Sequence, residues 1–270
     1  MEKQKPTSHS NKVFTMAGRR NQSSMHAIPY YCRQISERMP RYAKQDRQLV
    51  AVDCIIFGFD GAELKLLLIK RGFEPEKGKW SLMGGFVKKG ESADDAALRI
   101  LKQLTGLEGI YLEQLHAFTD PDRDPVERTL SIAYCALIDI QQYQEQLSED
   151  YKAVWFSLNK IPKLVFDHNK MVKLAKERLR YKAGSYPVLF ELLPKDFTIP
   201  QIQSLYESIY STRFDKRNFS RKILSSGLLI KQEHKDKQGS KKGAYYFRLH
   251  KKAYTPAFPS FLNFIPKASA

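Results

Sequence analysis

Residues 80–107 read WSLMGGFVKKGESADDAALRILKQLTGL, and this stretch decides the fold. Gly84-Gly85 permits backbone conformations closed to residues with a side chain. Ser92 or Asp94 can cap a helix that follows. Ala93, Ala97, Leu101 and Leu104, with Ala96 and Ile100, recur at helical spacing and form one apolar face. Gly106 stands where a glycine ends a helix in the left-handed conformation.

The spacing also resembles the frame of a Nudix box: Gly85, five residues, Glu91, seven residues, Arg99, and a closing Gly106-Leu107 pair. In a working Nudix hydrolase a glutamate follows the arginine, and two adjacent glutamates follow one turn later. Those places hold Ile100, Gln103 and Leu104. Carboxylates three and four apart would share one helix edge and give Mg²⁺ the oxygen ligands it requires. Glu91 alone cannot hold a metal that neutralises a diphosphate and activates water. The resemblance therefore implies a Nudix fold kept for binding, with hydrolysis lost: no catalytic residue, no metal ligand and no cofactor. The rival is a residual nucleotide-sugar hydrolase using Glu91, Asp94 and Asp95, although the frame places no ligand at those two aspartates.

The 270 residues are 42% hydrophobic, enough for a packed core, and carry a net charge of +16 that is unevenly spread. Residues 1–45 hold 9 basic and 2 acidic side chains, residues 46–186 hold 21 of each, and residues 187–270 hold 15 and 6. A neutral centre between basic flanks suits a polyphosphate or nucleic-acid partner for the flanks. No apolar run has membrane-spanning length and the N-terminus has no hydrophobic signal core, so a cytoplasmic protein is expected. Cys32, Cys54 and Cys135 lack metal-like spacing, and the last two read as buried thiols.

In chain order, residues 1–45 read as a basic, disordered extension, with a start codon assigned too early as the alternative. Leu49–Phe57 predicts a strand, Gly58–Gly61 a turn, and Leu64–Lys70 its partner strand. Arg71–Lys79 is a charged loop. Ile110–Phe118 and Arg128–Ile138 predict strands around the loop Thr119–Glu127, Ala153–Phe156 a last short strand, and His168–Ala183 a helix. These make an α/β/α sandwich over residues 46–184. Gly184–Pro187 reads as a linker. Ile199–Ile209 and Lys216–Ser225, the latter capped by Asp215, predict helices. Leu228–Gln232 and Tyr245–Leu249 predict a hairpin around a basic loop. Helix, turn, helix and hairpin is the order of a winged helix-turn-helix, expected over residues 187–254 with a tail at 255–270. Lys216, Arg217, Asn218, Arg221 and Lys222 on the second helix, and Ser240, Lys241 and Lys242 at the hairpin tip, are candidate contacts to double-stranded DNA.

Together these blocks, with VDCIIFGF, DPDRDPVERTLSIAY, VFDHNKMV and FELLPKDFTIPQIQSLYESIY, resemble the Nudix-related transcriptional regulators of the NrtR and AraR types, from about Val52 to Tyr254. The resemblance implies a homodimeric repressor with an effector-binding Nudix-like domain and a C-terminal winged helix. One branch senses ADP-ribose-type ligands and regulates NAD metabolism; the other responds to arabinose and regulates sugar utilisation. Met83 stands where the nucleotide-sensing branch usually has proline, so the first expectation is an L-arabinose-like sugar. A sugar pocket needs polar partners, for which Lys70, Arg71, Ser81, Asp122 and Arg128 are candidates, and apolar ones, for which Trp80 and Met83 are.

Overall fold

In a computed structural model of the chain, the described residues are 45–146, 152–237 and 243–250. The described residues from Gln48 onward group as one compact unit. The first layer is a seven-stranded mixed sheet. Its centre is β1 (Leu49–Phe59), parallel to β6 (Thr129–Asp139) along their whole length. Antiparallel strands extend it: β2 (Leu64–Lys70), β3 (Trp80–Ser81) and β7 (Val154–Ser157) on one side, and β5 (Glu113–Phe118) beyond β6. β4 (Met83–Phe86) also pairs with β1.

Strand alternation sends β1 side chains to two separate cores. Val52, Cys54 and Ile56 join Met83, Ala97, Ile100 and Leu101 beneath α1 (Ala93–Thr105). Ile55, Phe57 and Phe59 join Met171, Val172, Ala175 and Leu179 of α3 (His168–Ser185) on the other face. A four-residue helix, α2 (Ile140–Tyr143), follows β6 directly. Residues 147–151 lie outside the described residues, as do the predicted extension up to residue 44 and the predicted tail at 255–270.

The second part is a winged helix. α4 (Ile199–Tyr210) starts at a capping box between Thr198 and Gln201, which satisfies two otherwise orphaned backbone donors. Ser211 ends it in the left-handed conformation, and α5 (Lys216–Ser225) begins at Asp215, whose carboxylate accepts from the Asn218 backbone N–H. β8 (Phe197–Thr198), β10 (Ala244–Leu249) and β9 (Leu229–Asp236) form the wing sheet. Among the described residues no helix is long and apolar enough to cross a membrane.

Three expectations change. β1 runs through Gly58 and Phe59, and the turn falls at Asp60, whose Oδ1 accepts from the Ala62 and Glu63 backbone N–H groups at 2.9 Å each. Gly58 is a packing glycine: a Cβ there would lie 2.6 Å from both Trp155 and Ile140. The strand expected from Ile110 begins only at Glu113, because Ile110 is instead buried under α1. Gly184–Pro187 is not a loose linker. α3 continues through Ser185, and a 3₁₀ turn (Val188–Leu192) then buries Leu189, Phe190 and Leu192.

A Gly58→Ala variant should lose about 1–3 kcal/mol of stability in urea unfolding, from overpacking against Trp155. A midpoint equal to wild type would return Gly58 to a simple turn role.

Candidate functional site

β1 carries one carboxylate into its apolar run. Asp53 alternates to the α3 side of the sheet and is 5% exposed. Its Oδ2 accepts from Ser131 Oγ at 2.5 Å and lies 3.7 Å from Arg123 Nη2; its Oδ1 lies 3.4 Å from His168 Nε2. Arg123, from the loop before β6, also forks onto Asp167 at 2.9 and 3.1 Å, the planar two-point pairing that a guanidinium favours. The Leu82 backbone N–H donates to His168 Nδ1 at 3.2 Å. Nδ1 is therefore the acceptor of a neutral ring, and Nε2 carries the hydrogen that faces Asp53. Burial pushes the His168 imidazole below its ordinary 6.5, against the pull of Asp53 and Asp167.

Gly84 makes room for this cluster, since a Cβ there would come 2.2 Å from Asp53 Oδ1. The cluster floors a cavity of about 80 Å³ lined also by Arg71, Phe73, Ser81, Phe86, Leu104, Asp124 and Phe166. Arg71 lies over Phe73 and Phe166, 4.0 and 5.1 Å from the ring centres. A cavity of about 490 Å³ near Glu113, Arg178 and Lys182 is larger. It lacks the convergence of buried charges that marks a ligand site.

Of the residues expected to bind effector, Arg71 and Ser81 line the small cavity. The other five do not. Met83 is fully buried beneath α1, on the opposite face of the sheet. Trp80 packs edge-on against Phe156 at 4.7 Å, with Lys70 over its ring at 5.3 Å. Asp122 is exposed, and half-buried Arg128 donates to the Thr119 carbonyl at 2.9 Å. Asp53, Arg123 and His168 were not singled out from sequence, although an aspartate within LVAVDCIIF is a visible sign of a buried polar group.

The Nudix frame closes on itself. Arg99 holds Glu91 with Nε at 2.9 Å and Nη2 at 2.5 Å, donates to the Phe86 carbonyl at 3.0 Å, and reaches Gln103 Oε1 at 3.2 Å. Arg99 and the Lys88 backbone N–H hold the Glu91 carboxyl down to about 2. Ile100 fills the space over Gly85, where a Cβ would come within 2.5 Å of it. Asp94 accepts from the Tyr134 hydroxyl, and Asp95 completes the capping box with Ser92. Among the described residues no three His, Cys, Asp or Glu side chains cluster to hold a metal.

On the winged helix, Phe219 and Ile223 of α5 are buried, Phe219 against Tyr206 and Phe214 at 5.8 and 5.9 Å. Lys216, Arg217, Asn218 and Arg221 are exposed on its other faces, with Arg221 donating to Asn218 Oδ1 at 2.9 Å, and Lys222 is half-buried. Ser240, Lys241 and Lys242 lie outside the described residues. The wing strand adds two cations not expected from sequence: Lys231 and Lys235 lie over Tyr245 at 3.7 and 4.3 Å.

The chain matches the family models described as NUDIX domain over residues 47–175 and NrtR DNA-binding winged helix domain over residues 189–249. It is 32% identical over 232 residues to an ADPR responsive transcriptional repressor of Acinetobacter baylyi, covering 84% of this chain and 92% of that protein. It is 34% identical over 177 residues to an ADP-ribose pyrophosphatase of Methanocaldococcus jannaschii, covering 65% of this chain and 99% of that enzyme. The structure superimposes on Shewanella oneidensis NrtR complexed with a 27mer DNA with a TM-score of 0.65 at 29% identity, covering 76% of this chain and 94% of that one.

The His168 environment sets a pH dependence. The unfolded chain takes up a proton near 6.5 while the buried ring resists it, so stability is held above that pH and falls as pH drops below it. A His168→Gln variant should lose this acid slope between about pH 7 and 5 in thermal melts. Parallel slopes for variant and wild type would overturn the assignment.

Proposed function

This chain belongs to the NrtR-type family of Nudix-related transcriptional repressors, and we propose that it binds operator DNA and releases it on binding ADP-ribose or a closely related nucleotide. The observation that carries this reading is one chain joining a buried Asp53–Arg123–His168 cavity to a helix-turn-helix with an exposed cationic face. The cavity chemistry favours a nucleotide over a neutral pentose. Arg71 makes no ion pair among the described residues and is positioned to meet a phosphate, and Phe73, 55% exposed, offers a ring for a base to stack on. The enclosed volume is far smaller than a dinucleotide, so the ligand would lie across the mouth with one polar group at the floor. Met83, the residue that pointed to arabinose, is core and faces away from the cavity, so it offers a sugar no contact there.

We infer further that the chain does not hydrolyse its ligand. Ile100 and Leu104 put hydrocarbon where a working box puts carboxylates, and Glu91 is committed to Arg99. Induction requires the ligand to favour the state that does not bind DNA; tight binding alone shifts nothing.

Calorimetric titration should show heat with ADP-ribose and none with L-arabinose, and Arg71→Ala should weaken ADP-ribose binding at least tenfold, about 1.4 kcal/mol. Heat with arabinose alone would restore the sugar reading; heat with neither would remove the effector. Substituting Lys216, Arg217 and Arg221 together by alanine should abolish the gel shift of the gene's own upstream DNA. Undiminished binding would move the DNA surface off α5. Mg²⁺-dependent release of phosphate products from ADP-ribose would overturn the loss of hydrolysis.

A further inference from the structure

Helix α3 has six Lys and Arg residues and one acidic residue, Glu177. Lys182 is held by Glu113. Lys173, Lys176 and Arg180 are spaced three and four apart and share one face. Arg180 ties α3 to α4. Its Nε donates to the Ile209 carbonyl at 2.7 Å and its Nη2 to Ser211 Oγ at 3.2 Å. Those acceptors sit at the C-terminal end of α4, where a cation meets the negative end of the helix dipole. The Tyr210 hydroxyl returns a hydrogen bond to the Arg180 carbonyl at 2.6 Å. Lys173 and Lys176 make no comparable tie. Neither makes an ion pair among the described residues. Lys176 is half-buried, and burial together with nearby Arg180 lowers its pKa from the ordinary lysine value. A partly desolvated ammonium beside a second cation is unfavourable until an anion arrives.

The location says which anion. Arg180 touches Ser211, and the chain turns there from α4 into α5. In a helix-turn-helix the first helix crosses the sugar-phosphate backbone while the second enters the major groove. We propose that Lys173 and Lys176, on the Nudix side of the molecule, receive phosphates of the DNA duplex beside the site read by α5. This rests on the DNA-binding reading above and adds to it a second contact surface. It also gives the ligand a direct hold on DNA affinity: the same helix opens with His168 and follows Asp167, both in the cavity cluster.

The test uses the full chain and two fluorescein-labelled duplexes, one from the gene's upstream region and one scrambled, with anisotropy read across a salt series. The double variant Lys173→Gln, Lys176→Met should lose about tenfold in affinity on both duplexes alike, because phosphate contacts carry no sequence information. Its slope of log affinity against log salt should flatten by about one to two. Lys176→Met keeps the hydrocarbon stem and removes the half-buried charge, so it should melt at or above the wild-type temperature. Lys77→Gln, on the exposed loop before β3, removes a charge elsewhere and should change neither affinity nor slope. Unchanged affinity and slope in the double variant would overturn the proposal, as would a loss of affinity that comes only with a lowered melting temperature. A wild-type chain that binds neither duplex would overturn the underlying DNA-binding reading as well.

Discussion

Helix α3 is fixed at both ends by different chemistry, and the arrangement of the chain depends on that. At its start, His168 is held between the Leu82 backbone and Asp53, and the preceding Asp167 is forked by Arg123. At its end, Arg180 and Ala183 accept hydrogen bonds from tyrosines of α4. Between the two, Met171, Ala175 and Leu179 sit in a core that runs without a break from Phe57 of the central strand to Phe219 of α5. A close-packed interior transmits displacement because it cannot deform locally without opening voids. The Asp53–Arg123–His168 cavity and the second helix of the winged helix are thus parts of one packed body, both held by contacts to α3 and its core.

The positions of the Nudix frame are tied to one another by contacts of their own. Arg99 and Glu91 clasp the loop to the helix, Ser92 and Asp95 cap it, and Ile100 packs over Gly85. Each of these contacts serves folding. An isoleucine where a metal ligand would stand is compatible with the fold because the place is 3% exposed and lined by hydrocarbon. There an unpaired carboxylate would be costly without its cation.

The two ends of the molecule treat charge differently. Around Asp53 every buried charge has a partner of opposite sign or a hydrogen bond, the condition under which buried charge is tolerated. On α3, Lys173 and Lys176 stand without a carboxylate among the described residues, and on the wing Lys231 and Lys235 share the ring of Tyr245. Such surfaces are stable in water and become favourable only against a polyanion.

The long strands, the four longer helices, the helix face from Ala93 to Leu104, the glycine pair, the missing carboxylates and the cationic second helix were determined by the sequence alone; the short β3, β4 and β8 and the helix α2 were not. Each of the former depends on residues close together in the chain, where period, cap and turn chemistry act. The cavity was not legible in this way. Asp53, Arg123 and His168 come from three distant segments, and only sheet register and the docking of α3 bring them together. Met83 and Trp80 stand beside the glycine pair in the chain, yet Met83 packs beneath α1 and Trp80 against Phe156, and neither lines the cavity. Likewise Gly58 reads as a turn until Trp155 is seen lying against it, and Gly184–Pro187 reads as a linker until the buried turn after it is seen. Local pattern decides which elements form, and only tertiary packing decides which faces meet.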